Sequence, residues 1–560
     1  MPPRSAAGAR EAAAAAPDPP AAAPRPFSQL LGPLLLVAVV AILAYANGLP
    51  GEFVFDDKLI QRDPRIIGTE SFWRIFVTDY WYVYPGGSLD LYRPLTTASY
   101  ALNVMLTGLS SPAFHGINLL LHAAVCILVV LLVDALLRDR LLAVISGLLF
   151  ATHPVHTEAV TGIVGRAEIL AALFLLIGLY LHARRYELRG RGPATWLPVA
   201  GIAYLCALLS KETAIAGVGL LLLVDGVDRA REAWAVAASR EAHPSARALA
   251  QTITAVAMVL GIALAVLVVR YLVLGTFLQR PPPKDYYLLF GHPLTSRLLT
   301  GFKIVPIYLR LLFFPYTLSA DYSYRQVVLS HTLDGPGPLI GLAAAVGLGL
   351  AFLWALRARV PALVFALGFF ALSYSLVSNL VVPIGVLVAE RLMYLPSIGF
   401  CVAIAWAGLA LSRRYLWTAS SGWIQRLPAA ALVLLLLLYG GRTFVRNLDW
   451  RNPETLFAAT VRASPECHAA RFNYAAILMR LYPTQPDKQA LALEQLEKAY
   501  EIRPDHYAAL VNMTVAYRGL GQLERARETA LQGLRVRPND PRMRGLLKTI
   551  EALIRQRDRG

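Results

Sequence analysis

Long apolar runs separated by short, arginine-bearing loops constrain this chain more than any other feature. Leu30 to Ala46 is the first, and several later runs reach the roughly 20 residues that a helix needs to span a hydrocarbon core. Inside lipid every backbone N–H and C=O must be satisfied within the segment, so such runs predict helices. Charged residues make up 16% of the 560, where a soluble domain carries about 25%. That excludes an ordinary soluble enzyme and a disordered scaffold. The 53 Lys+Arg against 36 Asp+Glu leave a net charge of +17. Loop arginines that orient helices and meet anionic headgroups account for this excess, so no nucleic-acid partner is expected. The cysteines Cys126, Cys206, Cys401 and Cys467 are scattered and form neither a disulfide framework nor a metal-ligand spacing.

Residues 1–28 are Ala/Pro-rich, without apolar periodicity, and read as a disordered tail. The first run ends in Ala44-Tyr45-Ala46, which resembles a signal-peptidase site, but it is long for a signal core and is expected to stay as a helix. The arginine count then orders the loops. Arg4, Arg10 and Arg25 lie inside, as do Arg138 and Arg140, the Arg184–Arg191 stretch, residues 228–248, Arg357 with Arg359, and Arg413 with Arg414. Residues 48–92, His153–Glu168, Lys211-Glu212, 279–336, Val382–Arg391 and everything after about Arg446 lie outside. This asks for about eleven crossings. Two stretches disturb the count. Residues 94–137 hold two candidate helices where the charges want one crossing, and 298–318 reads as interfacial or re-entrant.

The multi-pass region is thus 29–446, with 447–560 as a charged, soluble, helical appendix. There Pro504 and Pro538 stand 34 residues apart, the tetratricopeptide period. Repeats are placed at about 471–505 and 506–540, with a partial one at 450–467. Each repeat is a helix pair that cannot bury its apolar face alone, so the pairs must stack into an α-solenoid. A protein-binding surface is the default role, and a docking lid without ligand is the alternative.

The expected outer side collects the charged motifs. Asp56-Asp57 offers one carboxylate to take a proton from a hydroxyl and another to hold a cation or position an acceptor. Arg93, where the loop re-enters the membrane, presents a bidentate fork suited to phosphate, or else snorkels to headgroups. His115, Asn118 and His122 put polar groups on an apolar helix, facing a cavity or simply bonding between helices. His153, His156 and Glu158 lie within six residues, but Pro154 breaks the helix that would align them on zinc. Arg166, Glu168, Lys211, Glu212, Glu390, Arg391 and Tyr394 complete the set. Such a concentration of charge on one side, in a chain with so few charges, points to an extracytoplasmic active site. No Walker A, G-x-S-x-G or dinucleotide fingerprint is present, so the energy must come from an activated donor such as a lipid phosphate sugar.

Phe53–Asp57, Tyr92–Leu95, Phe114–His122, Leu149–Val160, Gly165–Glu168, Leu209–Glu212, Leu318–Ser323 and Val388–Pro396 together resemble the transmembrane and tetratricopeptide-repeat (TMTC) protein O-mannosyltransferases. The His-Pro-x-His-x-Glu and Ala-Glu-Arg-x-x-Tyr-Leu-Pro stretches carry most of the likeness. The resemblance implies an all-α, GT-C type membrane bundle followed by a tetratricopeptide solenoid. It further implies inverting transfer of a sugar, mannose first, from a polyprenyl or dolichyl phosphate sugar to Ser/Thr hydroxyls of a protein acceptor met through the repeats. On that reading Asp56 is the base and Asp57 its partner. Arg93 and Arg391 stabilise the leaving phosphate. His153, His156, Glu158, Arg166, Glu168, Lys211, Glu212, Glu390 and Tyr394 shape the sugar and acceptor pocket. No cofactor is firmly implied, and a divalent cation at Asp56/Asp57 is one candidate. The composition and the few repeats suggest a bacterial version, in the inner membrane with periplasmic repeats; a eukaryotic one would have them in the endoplasmic reticulum lumen. The competing expectations are a catalytically silent membrane anchor carrying a repeat scaffold, and a flippase or polymerase of lipid-linked glycans.

Overall fold

The structure is a computed structural model that describes residues 28–83, 89–185, 193–236, 246–277, 289, 291–333, 335–418 and 426–559. The tail 1–27 and the arginines Arg189, Arg191 and Arg240 lie outside the described residues. All regular structure among the described residues is helical. In chain order the helices are α1 (Ser28–Tyr45), α2 (Pro64–Ile67), α3 (Pro94–Thr107), α4 (Ser111–Leu137), α5 (Arg140–Thr152), α6 (Thr157–Val160) and α7 (Arg166–Ala183). Next come α8 (Pro193–Ser210), α9 (Gly217–Val236), α10 (Ala246–Leu274), α11 (Leu294–Phe313), α12 (Pro336–Arg357), α13 (Pro361–Ser375), α14 (Ser397–Thr418) and α15 (Leu427–Asp449). The appendix holds α16 (Pro453–Ala463), α17 (His468–Leu481), α18 (Pro486–Ile502), α19 (Tyr507–Gly519), α20 (Leu523–Val536) and α21 (Pro541–Arg557).

Among the described residues, six helical segments are long and apolar enough to cross a membrane: Gln29–Gly48, Ser111–Leu137, Ile163–Ala183, Leu249–Leu274, Pro336–Arg357 and Leu427–Asp449. The apolar stretches Arg140–Thr152, Trp196–Ser210 and Pro361–Ser375 are shorter. The bundle has one end rich in arginine, where Arg231 Nη1 donates to Leu136 O and Arg413 pairs with Asp139 at 2.8 Å. The other end carries loop 48–92 and is called the loop end below.

The two ambiguous stretches both lie across the loop end. Helix α3 starts at Arg93, where Thr96 Oγ1 donates to Ser210 O at the loop end of α8. It finishes three residues before α4, whose Ser111 Oγ donates to Gly51 O in the loop. Both ends of α3 therefore lie at the loop end, and of the two helices only α4 is long and apolar enough to cross a membrane. Helix α11 carries Arg297, Lys303 and Arg310. Ser296 Oγ near its start is 3.1 Å from His331 Nδ1, and the Leu312 carbonyl near its end meets His153 Nε2 and Tyr439 Oη. Both of its ends thus sit at the loop end.

The appendix stacks as α17/α18 and α19/α20 pairs followed by α21. Leu478, Leu493, Leu496, Met513, Tyr517 and Ile550 form its buried core, so each pair covers the apolar face of the next. The partial repeat is the single helix α16, capped by the Asn452 side chain, which accepts from Thr455 N at 2.9 Å. The solenoid is fastened to the loop end. Trp450 packs with Val54, Ala320 and Leu456, and Phe55 meets Phe457 edge-on at 5.6 Å. The segments 324–325 and 466–468 exchange two backbone bonds, Arg325 N to Glu466 O and His468 N to Tyr324 O.

Candidate active site

A buried ion pair ties together two described segments of the stretch between α1 and α3. Arg65 and Asp63 are 2% and 3% exposed and meet at 2.5 Å. The remaining Arg65 donors go to Thr78 Oγ1, Asp79 O and Tyr80 O, which ties the 78–80 segment to the 63–67 turn. Upstream, Phe55 takes φ +50°, a left-handed conformation uncommon for a bulky residue, and opens the turn that presents Asp56 and Asp57.

The two aspartates diverge. Asp57 is 1% exposed, and its oxygens accept Val54 N at 3.2 Å and Val164 N at 2.9 Å. It fastens the loop to the turn before α7. Asp56 is partly exposed, and no hydrogen bond to its carboxylate is present among the described residues. Its charged neighbours are Arg391, Glu158 and Asp321. Burial pushes Asp56 up to about 6; Arg391 pulls it down, while Glu158 and Asp321 push it up. Asp57 is pushed up to about 7 by burial, against the opposing pull of its backbone donors. Each Asp57 oxygen accepts one backbone N–H group, which leaves it a further lone pair. Among the described residues no group of three or more His, Cys, Asp or Glu is placed to hold a metal.

Around Asp56 runs a series of ion pairs between different helices. Arg93 makes a bidentate pair with Glu212, at 2.9 and 2.6 Å. Lys211 pairs with Glu168, both of them buried. Glu158, 3% exposed, takes the Arg391 guanidinium on one oxygen and the Arg391 backbone N–H at 2.8 Å on the other. Glu390, fully buried, accepts Ser319 N at 2.5 Å and Tyr322 Oη at 2.8 Å, and faces Arg446 at 3.6 Å. Burial pushes Glu390 up to about 7, with Arg446 opposing it. Burial alone would raise Glu212, but Arg93 beside it holds it down at about 2. The Arg391 side chain is 23% exposed, so its guanidinium is held yet reachable.

Other expected pocket residues are buried and hydrogen-bonded within the protein. His153 and His156 are fully buried. His153 Nε2 meets Leu312 O at 3.0 Å, while His156 meets Phe150 O at 2.9 Å and Ser397 Oγ at 2.7 Å. They therefore hold the 150–160 turn against α11 and α14. Arg166 is also fully buried and has no carboxylate partner among the described residues. It donates to Asn118 Oδ1, Asn103 Oδ1, Ser99 O and Phe114 O, and lies over the rings of Tyr100 and Phe114. Asn118 is thereby explained as a helix-packing group. Tyr394 Oη meets His122 Nδ1 at 2.8 Å in the core. The site proper narrows to Asp56, Arg391 and Glu158, with Lys211–Glu168 and Arg93–Glu212 beside them.

Asp321 and Arg446 were missed by the sequence reading. Asp321 lies in the Leu318–Ser323 stretch, but nothing in one sequence says that this loop folds back over Asp56. Arg446 reads as the end of a span and only the fold sets it against Glu390.

Fold and site together define an all-α membrane bundle with a charged, internally paired end that carries a tetratricopeptide solenoid. Residues 489–550 match the tetratricopeptide repeat family. Over most of its length the chain is similar to the TMTC protein O-mannosyl-transferases. It is 29% identical over 527 residues to TMTC1 of Homo sapiens, covering 86% of this chain and 56% of that protein. To Tmtc3 of Drosophila melanogaster it is 29% identical over 552 residues, covering 89% and 58%. To TMTC2 of Homo sapiens it is 27% identical over 500 residues, covering 77% and 58%. These proteins are its homologues, and the chain spans little more than half their length. A solved archaeal oligosaccharyltransferase, AglB of Archaeoglobus fulgidus in complex with an inhibitory peptide and a dolichol-phosphate, is similar at 14% identity and a TM-score of 0.43, covering 84% of this chain and 59% of that one.

Proposed function

We propose that the chain is a membrane glycosyltransferase that moves a sugar from a polyprenyl phosphate sugar to Ser/Thr hydroxyls of proteins. The relatives are named for the transfer of mannose. The reaction takes place at the loop end, on the non-cytoplasmic face, with the repeats on the same side. In a bacterium that face is the periplasmic side of the inner membrane. The observation that carries this reading is Asp56, whose carboxylate makes no hydrogen bond among the described residues although its neighbours are paired. It is held near neutrality beside a reachable arginine.

In this reaction the Asp56 carboxylate takes the proton of the acceptor hydroxyl as its oxygen attacks the anomeric carbon. A base with a pKa near the working pH is best matched to that transfer. The bond from the anomeric carbon to the phosphate oxygen breaks, and the electron pair leaves with the phosphate, inverting the centre. Arg391 stabilises the departing charge through its free N–H groups, and Glu158 fixes its direction from two sides. Arg93 meets the phosphate as it arrives from the membrane, exchanging contacts with Glu212. The solenoid, docked through Trp450 and the 324–325 and 466–468 pairing, presents the acceptor polypeptide.

The test incubates the purified membrane protein with radiolabelled polyprenyl phosphate mannose and a Ser/Thr-rich peptide. Label on the peptide, lost when Ser/Thr are replaced by Ala, is the expected result. A wild-type protein that transfers nothing to any hydroxyl peptide would leave an anchored repeat scaffold as the better account.

A further inference from the structure

Helix α3 turns its polar residues inward and its apolar residues outward. Thr96, Thr97, Tyr100 and Asn103 are buried. Thr96 Oγ1 donates to Ser210 O, Tyr100 Oη donates to Ile163 O, and Asn103 Oδ1 accepts from the Arg166 guanidinium. The opposite face carries Leu102, Met105 and Leu106, continued by Leu109 just past the helix end, and Met105 is 77% exposed. A helix whose outer side meets water is built the other way round, with its apolar stripe on the core. Beside α3 lies the Phe72–Val77 turn, tied on by Tyr92 Oη, which donates to Phe76 O at 2.9 Å. This turn exposes Phe72, Trp73 and Val77, with Trp73 73% exposed and meeting Phe72 edge-on at 5.7 Å. One exposed apolar side chain is ordinary; a set of them on two elements packed together marks a surface that something apolar covers. The chain itself points to what that is. Only residues 108–110 separate α3 from α4, which is long and apolar enough to cross a membrane. The outward stripe of α3 therefore ends where a membrane-crossing helix begins.

We propose that the outward face of α3 and the Phe72–Val77 turn are set into the bilayer leaflet at the loop end, with lipid acyl chains covering them. The apolar stripe lies among the chains and the polar side bonds to the bundle, as an interfacial helix requires. Trp73, next to Arg74, suits the boundary between chains and headgroups, where tryptophan is enriched. Arg93 is the N-cap of α3 and is thereby held at the level of the lipid phosphates. An anionic lipid head reaches it there while its chain stays in the leaflet. The inference goes beyond the reaction proposed above and stands whether or not a sugar is transferred.

The experiment attaches a nitroxide spin label at Met105→Cys and at Trp73→Cys in the full chain, reconstituted into phosphatidylcholine vesicles. The parent carries Cys206→Ala, because the other three cysteines are buried. Glu528→Cys, exposed on the solenoid, is the reference in water. Relaxation of the label by oxygen, which concentrates among lipid chains, is compared with relaxation by a water-soluble nickel chelate. At positions 105 and 73 oxygen should act more strongly than nickel, at a depth of about 5–10 Å below the headgroups. Position 528 should show the reverse. Nickel relaxation at 105 and 73 as strong as at 528 overturns the proposal, since the face would then stand in water. Weak relaxation by both agents overturns it as well, since protein, such as a second copy of the chain, would then cover the face. Leu102→Cys lies on the same stripe and gives the same reading if Met105→Cys lowers the melting temperature.

Discussion

Glu158→Gln probes the geometry around Arg391 and the state of Asp56 together. Glu158 is 3% exposed and uses both oxygens on Arg391, one on the guanidinium and one on the backbone N–H. A glutamine offers one acceptor oxygen where two are used, and its NH2 then opposes one of the Arg391 donors. Removing one partner of a buried pair costs about 3–5 kcal/mol. The Arg391 side chain is 23% exposed and water compensates part of that, so about 1.5–3 kcal/mol is expected here. If that energy is lost from transition-state positioning, transfer falls roughly 10- to 150-fold. A misfolded site would also lose activity, so the pH profile decides. Glu158 is one of the groups that pushes Asp56 up, and Arg391 is the one that pulls it down. Removing the first and freeing the second both lower Asp56. The acid limb of kcat/KM, near pH 6 in wild type if Asp56 is the base, should therefore move to lower pH in the variant. Titration of kcat/KM from pH 4.5 to 8 with labelled donor gives the answer. An acid limb that stays in place or moves up would refute the placement of Glu158 between Arg391 and Asp56.

Further outcomes follow from the same contacts. Arg391→Lys should lower donor use nearly as far as Arg391→Ala, because a point charge cannot take the Glu158 and phosphate geometry together; equal activity of Lys and Arg in the labelled assay would contradict this. Asp57→Asn should destabilise by about 1–3 kcal/mol, read as a lower melting temperature, because an amide NH2 then faces Val54 N or Val164 N. Glu390 has a folded pKa raised to about 7 above its ordinary 4.5. Its contribution to stability is therefore full below about pH 4.5 and lost as pH rises toward 7. Melting temperatures at pH 5.5 and 7.5 should differ less in Glu390→Gln than in wild type. Gly165→Ala puts a Cβ 2.2 Å from the Ala159 carbonyl oxygen, a backbone atom that cannot yield, so expression and melting temperature should fall sharply.

Much of the fold was legible because lipid leaves few options. An apolar run such as 111–137 has to be a helix, and the arginines at 138 and 140 mark which of its ends they share. The same rule could not tell that both ends of 94–107 stay at the loop end, since α3 is short and apolar enough to mimic half a span. Its contacts with Ser210 O and Ile163 O decide the matter, and these are long-range. The solenoid was readable from the Pro504–Pro538 spacing alone. For the site, the residue types were legible and the pairings were not. His153 and His156 were expected at a polar pocket because they stand close in sequence on the outer side, and in the fold they meet Leu312 O, Phe150 O and Ser397. Asp56 and Asp57 look equivalent in sequence, but the turn after Phe55 commits one to backbone N–H groups and leaves the other open.

The most direct test of the account is single-turnover transfer by Asp56→Asn with radiolabelled polyprenyl phosphate mannose bound in advance and a Ser/Thr peptide added. The side chain keeps its size and can no longer accept the hydroxyl proton. The account predicts a rate lower by roughly 10²–10⁴-fold, the usual worth of a general base, with donor affinity and melting temperature kept. Transfer at the wild-type rate by Asp56→Asn would contradict it.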